Sequence, residues 1–275
     1  MSAAQFLRRS WLTLVLCVVA AGVCAQPAKK EFEPQVGQEG KDVIWVPTPQ
    51  GLIDKMLDMT KVTPADYVID LGSGDGRTVI AAAKRGARAQ GIEYNPDMVE
   101  LSKRNAEKAG VAGKANFAKA DLFESDFAEA TVITMYLLPT INIKLRPKIL
   151  DLKPGTRIVS HAFTMDDWTA DQTESFDGRT AYMWIVPAKV EGTWQLAQGE
   201  LALKQSFQIV TGTFKTGGST VAVTNGKLRG DQLSFTASMI DYTGRVSGNG
   251  MEGTSKGASS GPWNATRTSA TPAAK

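Results

Sequence analysis

Apolar positions in the middle of the chain follow two periods that alternate along the sequence. Leu52, Ile53, Met56 and Leu57 keep a spacing of three and four residues, which predicts an amphipathic helix. The next apolar run, Tyr67 to Leu71, is short and continuous and ends at glycines. Such a run is typical of a strand that is buried on both faces of a sheet.

The same alternation continues to about residue 190. A helix is predicted over Gly76 to Arg85, and Asn95 before Pro96 marks the start of another helix that ends before Gly110. The further strands predicted from apolar runs are Ala89 to Glu93, Ala115 to Lys119, Ala130 to Met135 and Arg157 to His161. Strands that alternate with helices predict an α/β fold, in which a doubly wound, mostly parallel sheet is covered on both faces.

Beyond this region the helical spacing stops. Tyr182 to Val186, with Thr193 to Leu196, is the candidate for an antiparallel hairpin that closes the α/β sheet. After it, Gly-Gly and Asn-Gly turns separate short strand-like runs, which predict a small antiparallel β barrel or sandwich with Trp194 and Trp263 in its core. These runs are Glu200 to Gln208, Ile209 to Lys215, Ser219 to Thr224, Gln232 to Ser238 and Tyr242 to Val246.

The N-terminus has the pattern of an export signal. Arg8 and Arg9 precede an uncharged apolar run, Trp11 to Val23, and small residues follow up to Ala25. The run is shorter than the roughly 20 residues that cross a bilayer, which favours a secretory signal peptide over residues 1–25. We expect an exported, periplasmic protein with no transmembrane span after cleavage. Lipidation at Cys24 and an uncleaved N-terminal membrane anchor are the alternatives.

The complete predicted organisation follows from these patterns. It consists of a signal peptide over 1–25, an extended surface leader over 26–44, the α/β domain over 45–190, the antiparallel β domain over 191–267 and a tail over 268–275.

Composition narrows the chemistry. The 31 basic and 28 acidic residues nearly balance, so net charge does not indicate nucleic-acid binding. Cys17 and Cys24 lie in the N-terminal apolar segment, and His161 is the single histidine. A cysteine nucleophile and a multi-histidine metal site are therefore excluded in the rest of the chain, and no resident metal is expected.

A glycine-rich turn with three acidic residues is the main candidate site. The turn, Asp70-Leu71-Gly72-Ser73-Gly74-Asp75-Gly76, lies between a predicted strand and a predicted helix, where open parallel sheets bind ligands. Glu93 ends the next strand and suits a ribose diol, and Asp121 follows the third strand and suits an adenine amino group. Acidic residues beside the turn favour a ligand with a positive centre and no phosphate. S-adenosylmethionine fits that demand.

Residues 45–190 resemble a class I S-adenosylmethionine-dependent methyltransferase. Asp70 to Gly76 match the first motif of that family, Glu93 its ribose-binding acid and Asp121, with Leu122, its adenine-side acid. The resemblance implies a seven-stranded sheet, methyl transfer in line to a nucleophile and a set of cofactor-binding residues. That set is Thr48, Asp70, Gly72, Ser73, Gly74, Asp75, Gly76, Glu93, Asp121 and Leu122.

The acceptor side of the resemblance is less specific. Met135 to Pro139 lies where the catalytic loop of the family follows the fourth strand. Lysine methyltransferases that modify mitochondrial inner-membrane proteins are similar over Val46 to Arg77, Tyr136 to Pro139 and Leu145-Arg146-Pro147. The Asn/Asp-Pro-Pro-aromatic signature of base methylation is absent, so we expect a protein or small-molecule acceptor and no nucleic acid. The implied catalytic candidates are Tyr136, Pro139 and His161, and the candidate proton acceptors are Tyr136, His161, Asp166 and Asp167.

The function that the resemblance implies is methyl transfer from S-adenosylmethionine to a protein lysine. Two other functions stay open at this point. S-adenosylmethionine is made in the cytoplasm, so an exported chain could be a non-catalytic nucleoside- or ligand-binding protein. A methyltransferase that acts on small molecules is the second alternative.

Overall fold

The computed structural model describes residues 31–269, which form an α/β domain followed by a closed β barrel. The predicted signal peptide, residues 26–30 of the leader and residues 270–275 of the tail lie outside the described residues. Within residues 31–269, no helix combines the length and the apolar character that a membrane crossing requires.

One seven-stranded sheet organises the α/β domain, in the order β3-β2-β1-β4-β5-β7-β6. The strands from β3 to β5 are parallel, and β7 pairs antiparallel with both β5 and β6. The strands are β1 (Tyr67–Leu71), β2 (Arg88–Glu93), β3 (Ala115–Lys119), β4 (Val132–Met135), β5 (Arg157–His161), β6 (Gln172–Phe176) and β7 (Arg179–Ile185). The helices are α1 (Gln50–Met59), α2 (Arg77–Lys84), α3 (Pro96–Lys108) and α4 (Pro139–Leu150). The predicted doubly wound, mostly parallel sheet is confirmed.

The local sequence explains these elements. The apolar face of α1, from Leu52 to Leu57, is buried, and Ile53 and Leu57 pack with Val68 of β1. The Asn95 side chain accepts a hydrogen bond from the backbone N–H of Asp97, which caps α3, and Pro96 occupies the first turn of that helix. The Asn95 cap and Pro96 therefore fix where α3 begins, directly after β2 ends at Glu93.

The edge of the sheet differs from the sequence prediction. The hairpin partner of β7 is β6, over Gln172–Phe176, and the segment Gly192–Leu196 belongs to the barrel. The predicted pairing of Tyr182–Val186 with Thr193–Leu196 is therefore wrong. β6 escapes detection because it lies at the sheet edge and all its residues are at least partly exposed, so its sequence carries no continuous apolar run.

The barrel confirms the predicted antiparallel β domain as a closed form. Its order is β10-β11-β12-β13-β14-β15-β8-β9, and its interior is filled with side chains that include Trp194 and Trp263, both buried as predicted. The strands are β8 (Gly192–Leu196), β9 (Gly199–Ser206), β10 (Ile209–Thr216), β11 (Ser219–Arg229), β12 (Gln232–Ala237), β13 (Ile240–Ser247), β14 (Gly250–Lys256) and β15 (Gly261–Ser269). Because β15 continues to Ser269, the first two residues of the predicted tail are strand.

The barrel contacts the α/β domain away from the carboxyl ends of the parallel strands. The Phe207 ring, at the β9–β10 turn, stacks on Trp168 with ring centroids 5.7 Å apart, and the Gln208 amide donates to the Thr169 carbonyl over 2.8 Å. Gly230 lies against Gly155, which precedes β5 and so marks the amino edge of the sheet. The glycine-rich turn, which follows β1, lies at the opposite, carboxyl edge of the sheet.

Candidate functional site

A cavity of about 450 Å³ opens at the carboxyl edge of the parallel strands. Its volume lies within the range of pockets that bind small molecules and cofactors. The residues that line it include Gly40, Lys41, Trp45, Thr48, Asp70, Gly72, Ser73, Gly74, Asp75, Arg77, Glu93, Tyr94, Asp121, Leu122, Tyr136, Leu137, Leu138 and Phe163. Most of the predicted cofactor residues therefore converge on one space, although their roles stay predictions.

The glycine-rich turn forms the floor of this cavity. Gly72 and Gly74 have φ of +77° and +55°, in the left-handed region that L side chains rarely adopt. The Ser102 hydroxyl donates to the Gly74 carbonyl over 2.8 Å, and the Asn105 amide donates to the Asp75 carbonyl over 3.0 Å. Two side chains of α3 thus fix the turn from behind, so the ligand-facing backbone is held in place by the fold.

Gly76 of the motif lies outside the cavity lining, whereas Ser73 and Asp75 line the cavity and also make contacts within the fold. Gly76 is absent from the cavity lining, and a Cβ there would meet the Phe117 ring at 2.7 Å, so this glycine serves packing against β3. The Asp75 carboxylate pairs with the Arg77 guanidinium over 2.6 Å. The Ser73 hydroxyl occupies the space left by Gly91. These three contacts join the turn to β3, α2 and β2.

Among the acidic residues that line the cavity, Asp70, at the end of β1, has the pKa that is shifted furthest from its ordinary value. It is 6% exposed, and its carboxylate accepts a hydrogen bond of 2.6 Å from the Thr134 hydroxyl on β4. Burial, together with the charges of Glu93 and Asp75, raises the pKa of Asp70 to about 7, against the lowering effect of the Thr134 and Thr78 hydrogen bonds. A cation in the cavity would favour the ionised form.

Glu93 bridges the ends of β1 and β2. One carboxylate oxygen accepts the Gly74 N–H and the other accepts the Asn95 N–H, each over 2.9 Å. Each carboxylate oxygen keeps a further acceptor position, so the group can still bind a pair of hydroxyl donors. Its half-buried position in the cavity lining fits the expected ribose diol.

Asp121 and Leu122 lie at the cavity end that follows β3, and the leader reaches them. Lys41 forms an ion pair with Asp121, and its ammonium lies 4.7 Å from the centre of the Tyr94 ring. The hydrogen bond from Lys41 lowers the pKa of Asp121, as does the Phe123 N–H. Residues 38–44 of the predicted surface leader therefore cover this part of the cavity.

Trp45 continues this cover over the glycine turn. A Cβ added at Gly74 would lie 2.7 Å from the Trp45 indole nitrogen, so only glycine permits this approach. Sequence reasoning missed Lys41 and Trp45 because their contacts join residues far apart in the chain and the leader has no periodic pattern. The strand-end positions of Glu93 and Asp121, in contrast, followed from the β-α alternation alone.

The predicted catalytic candidates separate into two layers. Tyr136 follows β4 and lines the cavity, whereas His161 is 1% exposed behind it, with the two ring centroids 3.8 Å apart. His161 Nδ1 shares a hydrogen bond of 3.0 Å with the Thr48 hydroxyl. Burial, with the charge of Arg179, lowers the pKa of His161 to about 4. A neutral, enclosed imidazole packs against the Tyr136 ring and is poorly suited to accept a proton from a substrate at neutral pH.

The other three candidates are absent from the cavity lining. Pro139 is exposed at the first position of α4, where its fixed φ starts the helix. Asp166 and Asp167 are exposed, and Asp167 forms an ion pair with Arg146. Trp168, the next residue, is fully buried in the core.

Comparison with known proteins finds methyltransferases similar to the α/β domain. The family model described as the ANTKMT methyltransferase domain matches residues 70–172. The protein-lysine N-methyltransferase of Saccharolobus islandicus is 41% identical over 151 residues, which are 52% of this chain and 94% of that protein. The mouse adenine nucleotide translocase lysine N-methyltransferase is 33% identical over 118 residues, or 42% of this chain, which spans only 51% of that relative.

One solved structure is also similar. The RNA methyltransferase from Salinibacter ruber, solved in complex with S-adenosyl-L-homocysteine, is 49% identical, with a TM-score of 0.52. The match covers 53% of this chain and 96% of that one. The similarity is therefore concentrated in about half of the chain, as expected for its α/β domain.

The Glu93 carboxylate generates a direct test of cofactor binding. We expect Glu93→Ala to weaken S-adenosylmethionine binding by about 10- to 100-fold, because hydrogen bonds to a charged group contribute about 1.5–3 kcal/mol. Isothermal titration calorimetry measures the change. Glu107→Ala, which removes an exposed carboxylate of α3 outside the cavity lining, is the matched control. Equal affinities of the two variants would contradict the assignment of Glu93.

The Asp70 carboxyl predicts a pH dependence. Its pKa near 7 in the free protein means that a cationic ligand, which favours the carboxylate, must displace a proton at lower pH. Affinity for S-adenosylmethionine should therefore rise from about pH 6 to about pH 8, by at most tenfold for each pH unit below the pKa. Calorimetry in two buffers of different ionisation enthalpy should detect proton release near pH 6. Asp70→Asn should bind more weakly and without this dependence, and a flat wild-type profile would contradict the prediction.

Proposed function

The chain belongs to the family of S-adenosylmethionine-dependent methyltransferases that includes the protein-lysine N-methyltransferase of Saccharolobus islandicus, and we propose that it methylates lysine side chains of a protein. The likeness to that relative carries the proposal, because it extends over 94% of the relative's length. The barrel lies outside the matched α/β region of the family model, so the proposal concerns the cavity at the carboxyl edge of the sheet.

The residues of the cavity fit the cofactor of this family. Gly72 and Gly74 leave room for close backbone approach, Glu93 offers acceptor positions for hydroxyl groups, and buried Asp70 favours a cationic partner. When bound, S-adenosylmethionine supplies the methyl group on its sulfonium centre. The remaining task of the protein is to hold the acceptor in line and to exclude water.

The acceptor end of the cavity suits a lysine side chain. Tyr136, Leu137, Leu138 and Phe163 line it, and these side chains match the aliphatic stem of lysine. A lysine ammonium must lose its proton before its nitrogen can form a bond to the methyl carbon. His161 is enclosed with a pKa of about 4, so we propose that removal of the amine from water, and not proton transfer to this imidazole, favours the neutral amine.

Transfer of labelled methyl groups tests the acceptor class. Purified protein is incubated with methyl-labelled S-adenosylmethionine and, separately, with cell-envelope protein, cytoplasmic protein, RNA and a metabolite extract. We expect label in protein, recovered as methyl-lysine after acid hydrolysis, with Glu107→Ala active and Glu93→Ala strongly reduced. Label in RNA or metabolites without methyl-lysine would overturn the lysine proposal.

We propose in addition that the chain is exported. Arg8 and Arg9 before the apolar run Trp11 to Val23, and the small residues up to Ala25, support cleavage of a signal peptide. N-terminal sequencing of the protein from periplasmic and membrane fractions should find Gln26 as the first residue. An intact N-terminus in the soluble cytoplasmic fraction would contradict export, and an intact N-terminus in the membrane fraction would contradict cleavage.

A further inference from the structure

Phe163 is presented to the cavity by a strained turn directly after β5. Ala162 has φ of +65°, a left-handed conformation that is uncommon for residues other than glycine. The Phe163 N–H donates to the His161 carbonyl over 2.8 Å, which closes a three-residue turn around Ala162. The Ala162 N–H donates to the Thr180 carbonyl of β7 over 2.7 Å. Strain of this kind persists where the surrounding structure determines it, and it concentrates at functional sites.

The turn places the Phe163 ring beside Tyr136. Their ring centroids are 6.1 Å apart at an interplanar angle of 24°, and both residues are half-buried in the cavity lining. Strand pairing explains the position, because Met135 at the end of β4 is the register partner of Ser160 in β5. The residues that follow these two strands therefore project side by side from the same edge of the sheet.

A buried amide holds the backbone of the loop from the other side. Asn142, in the first turns of α4, is fully buried, and its Nδ2 donates to the Thr164 carbonyl over 3.1 Å and to the Phe163 carbonyl over 3.4 Å. The loop is thus fixed by β7, by α4 and by its own turn. Phe163 is a preformed part of the cavity wall and not the tip of an unsupported segment.

We propose that Phe163 is an acceptor-binding residue: with Tyr136 it forms an aromatic wall along which the aliphatic stem of the acceptor lysine lies, and which keeps water from the lysine amine. The inference deepens the proposed function and rests on lysine being the acceptor. Nothing in the predicted site set assigned a role to Phe163.

The chemistry of the amine explains what the wall contributes. The ordinary pKa of lysine is about 10.4, so the reactive neutral amine is scarce near neutral pH. Burial of the amine among apolar groups disfavours the ammonium form and lowers that pKa. Methyl transfer then forms the bond between nitrogen and the methyl carbon as the bond between carbon and sulfur breaks, and the amine's proton has already left to solvent. Contact with the two rings also contributes affinity through the apolar area that it buries.

The test compares Phe163→Ala with Phe163→Tyr in the full-length protein. The acceptor is a synthetic peptide. It contains the lysine that wild-type protein methylates when it is incubated with labelled S-adenosylmethionine and cell-envelope protein. Phe163→Ala should raise the peptide KM by about tenfold, the effect of losing roughly 1.4 kcal/mol of apolar contact. It should also move the midpoint of the pH dependence of kcat to higher pH, because water in the opened wall raises the amine pKa towards its ordinary value. Phe163→Tyr, which keeps the ring, should restore both parameters.

Control measurements separate this inference from a general defect and from failure of the proposed function. Calorimetry should show that Phe163→Ala binds S-adenosylmethionine as tightly as wild type, and Phe176→Ala, an exposed aromatic of β6 outside the cavity lining, should leave peptide KM unchanged. An unchanged peptide KM and pH midpoint in Phe163→Ala would overturn the role of Phe163, as would a loss explained wholly by weaker cofactor binding. A wild-type protein that forms no methyl-lysine would instead refute the proposed function, and this inference with it.

Discussion

The arrangement of carboxylates at one edge of the parallel sheet is the constraint on which the rest of the site depends. Asp70 and Glu93 end neighbouring strands, so the sheet register itself brings two like charges to one cavity. Their proximity and the burial of Asp70 disfavour ionisation, as the raised pKa of Asp70 shows. The fold opposes this cost with hydrogen bonds from Thr134 to Asp70 and from backbone N–H groups to Glu93. A cationic ligand would offset the part of the cost of ionising Asp70 that these hydrogen bonds leave uncompensated.

The other acidic residues near the cavity are paired with basic side chains, so negative charge is not spread evenly over the site. Asp75 is neutralised by Arg77 within the turn, and Asp121 is paired with Lys41 from the leader. Within residues 31–269, the interactions that lower the pKa of Asp70 are hydrogen bonds from hydroxyl groups and not ion pairs. Negative charge is therefore uncompensated mainly around Asp70 and Glu93, which suits a cationic ligand whose amino acid end lies beside Asp70 and whose ribose lies on Glu93. Tyr136 and Phe163 line the same cavity on the side that follows β4 and β5.

The sequence predicted the parts of this site that depend on local pattern. The turn from Asp70 to Gly76 and the acids Glu93 and Asp121 could be placed because carboxyl ends of parallel strands meet at one edge. Phe163 was missed although it lies only two residues beyond a predicted strand, since nothing in the sequence reveals the left-handed conformation of Ala162. The cover formed by the leader was missed because it rests on contacts such as Lys41 with Asp121, which join distant positions and leave no periodicity.

The barrel interior and the cavity are formed by separate sets of residues. The barrel interior is filled by its own apolar side chains, and its contact with the α/β domain includes the stacking of Phe207 on Trp168. These contacts approach the amino edge of the sheet, so the cofactor cavity is complete without a barrel residue in its lining. A crystal structure of the protein with S-adenosyl-L-homocysteine would show directly whether these carboxylates bind the nucleoside. We expect the nucleoside in this cavity, with its ribose hydroxyls on Glu93 and its amino acid end beside Asp70. A nucleoside bound elsewhere, or one whose ribose makes no contact with Glu93, would contradict it.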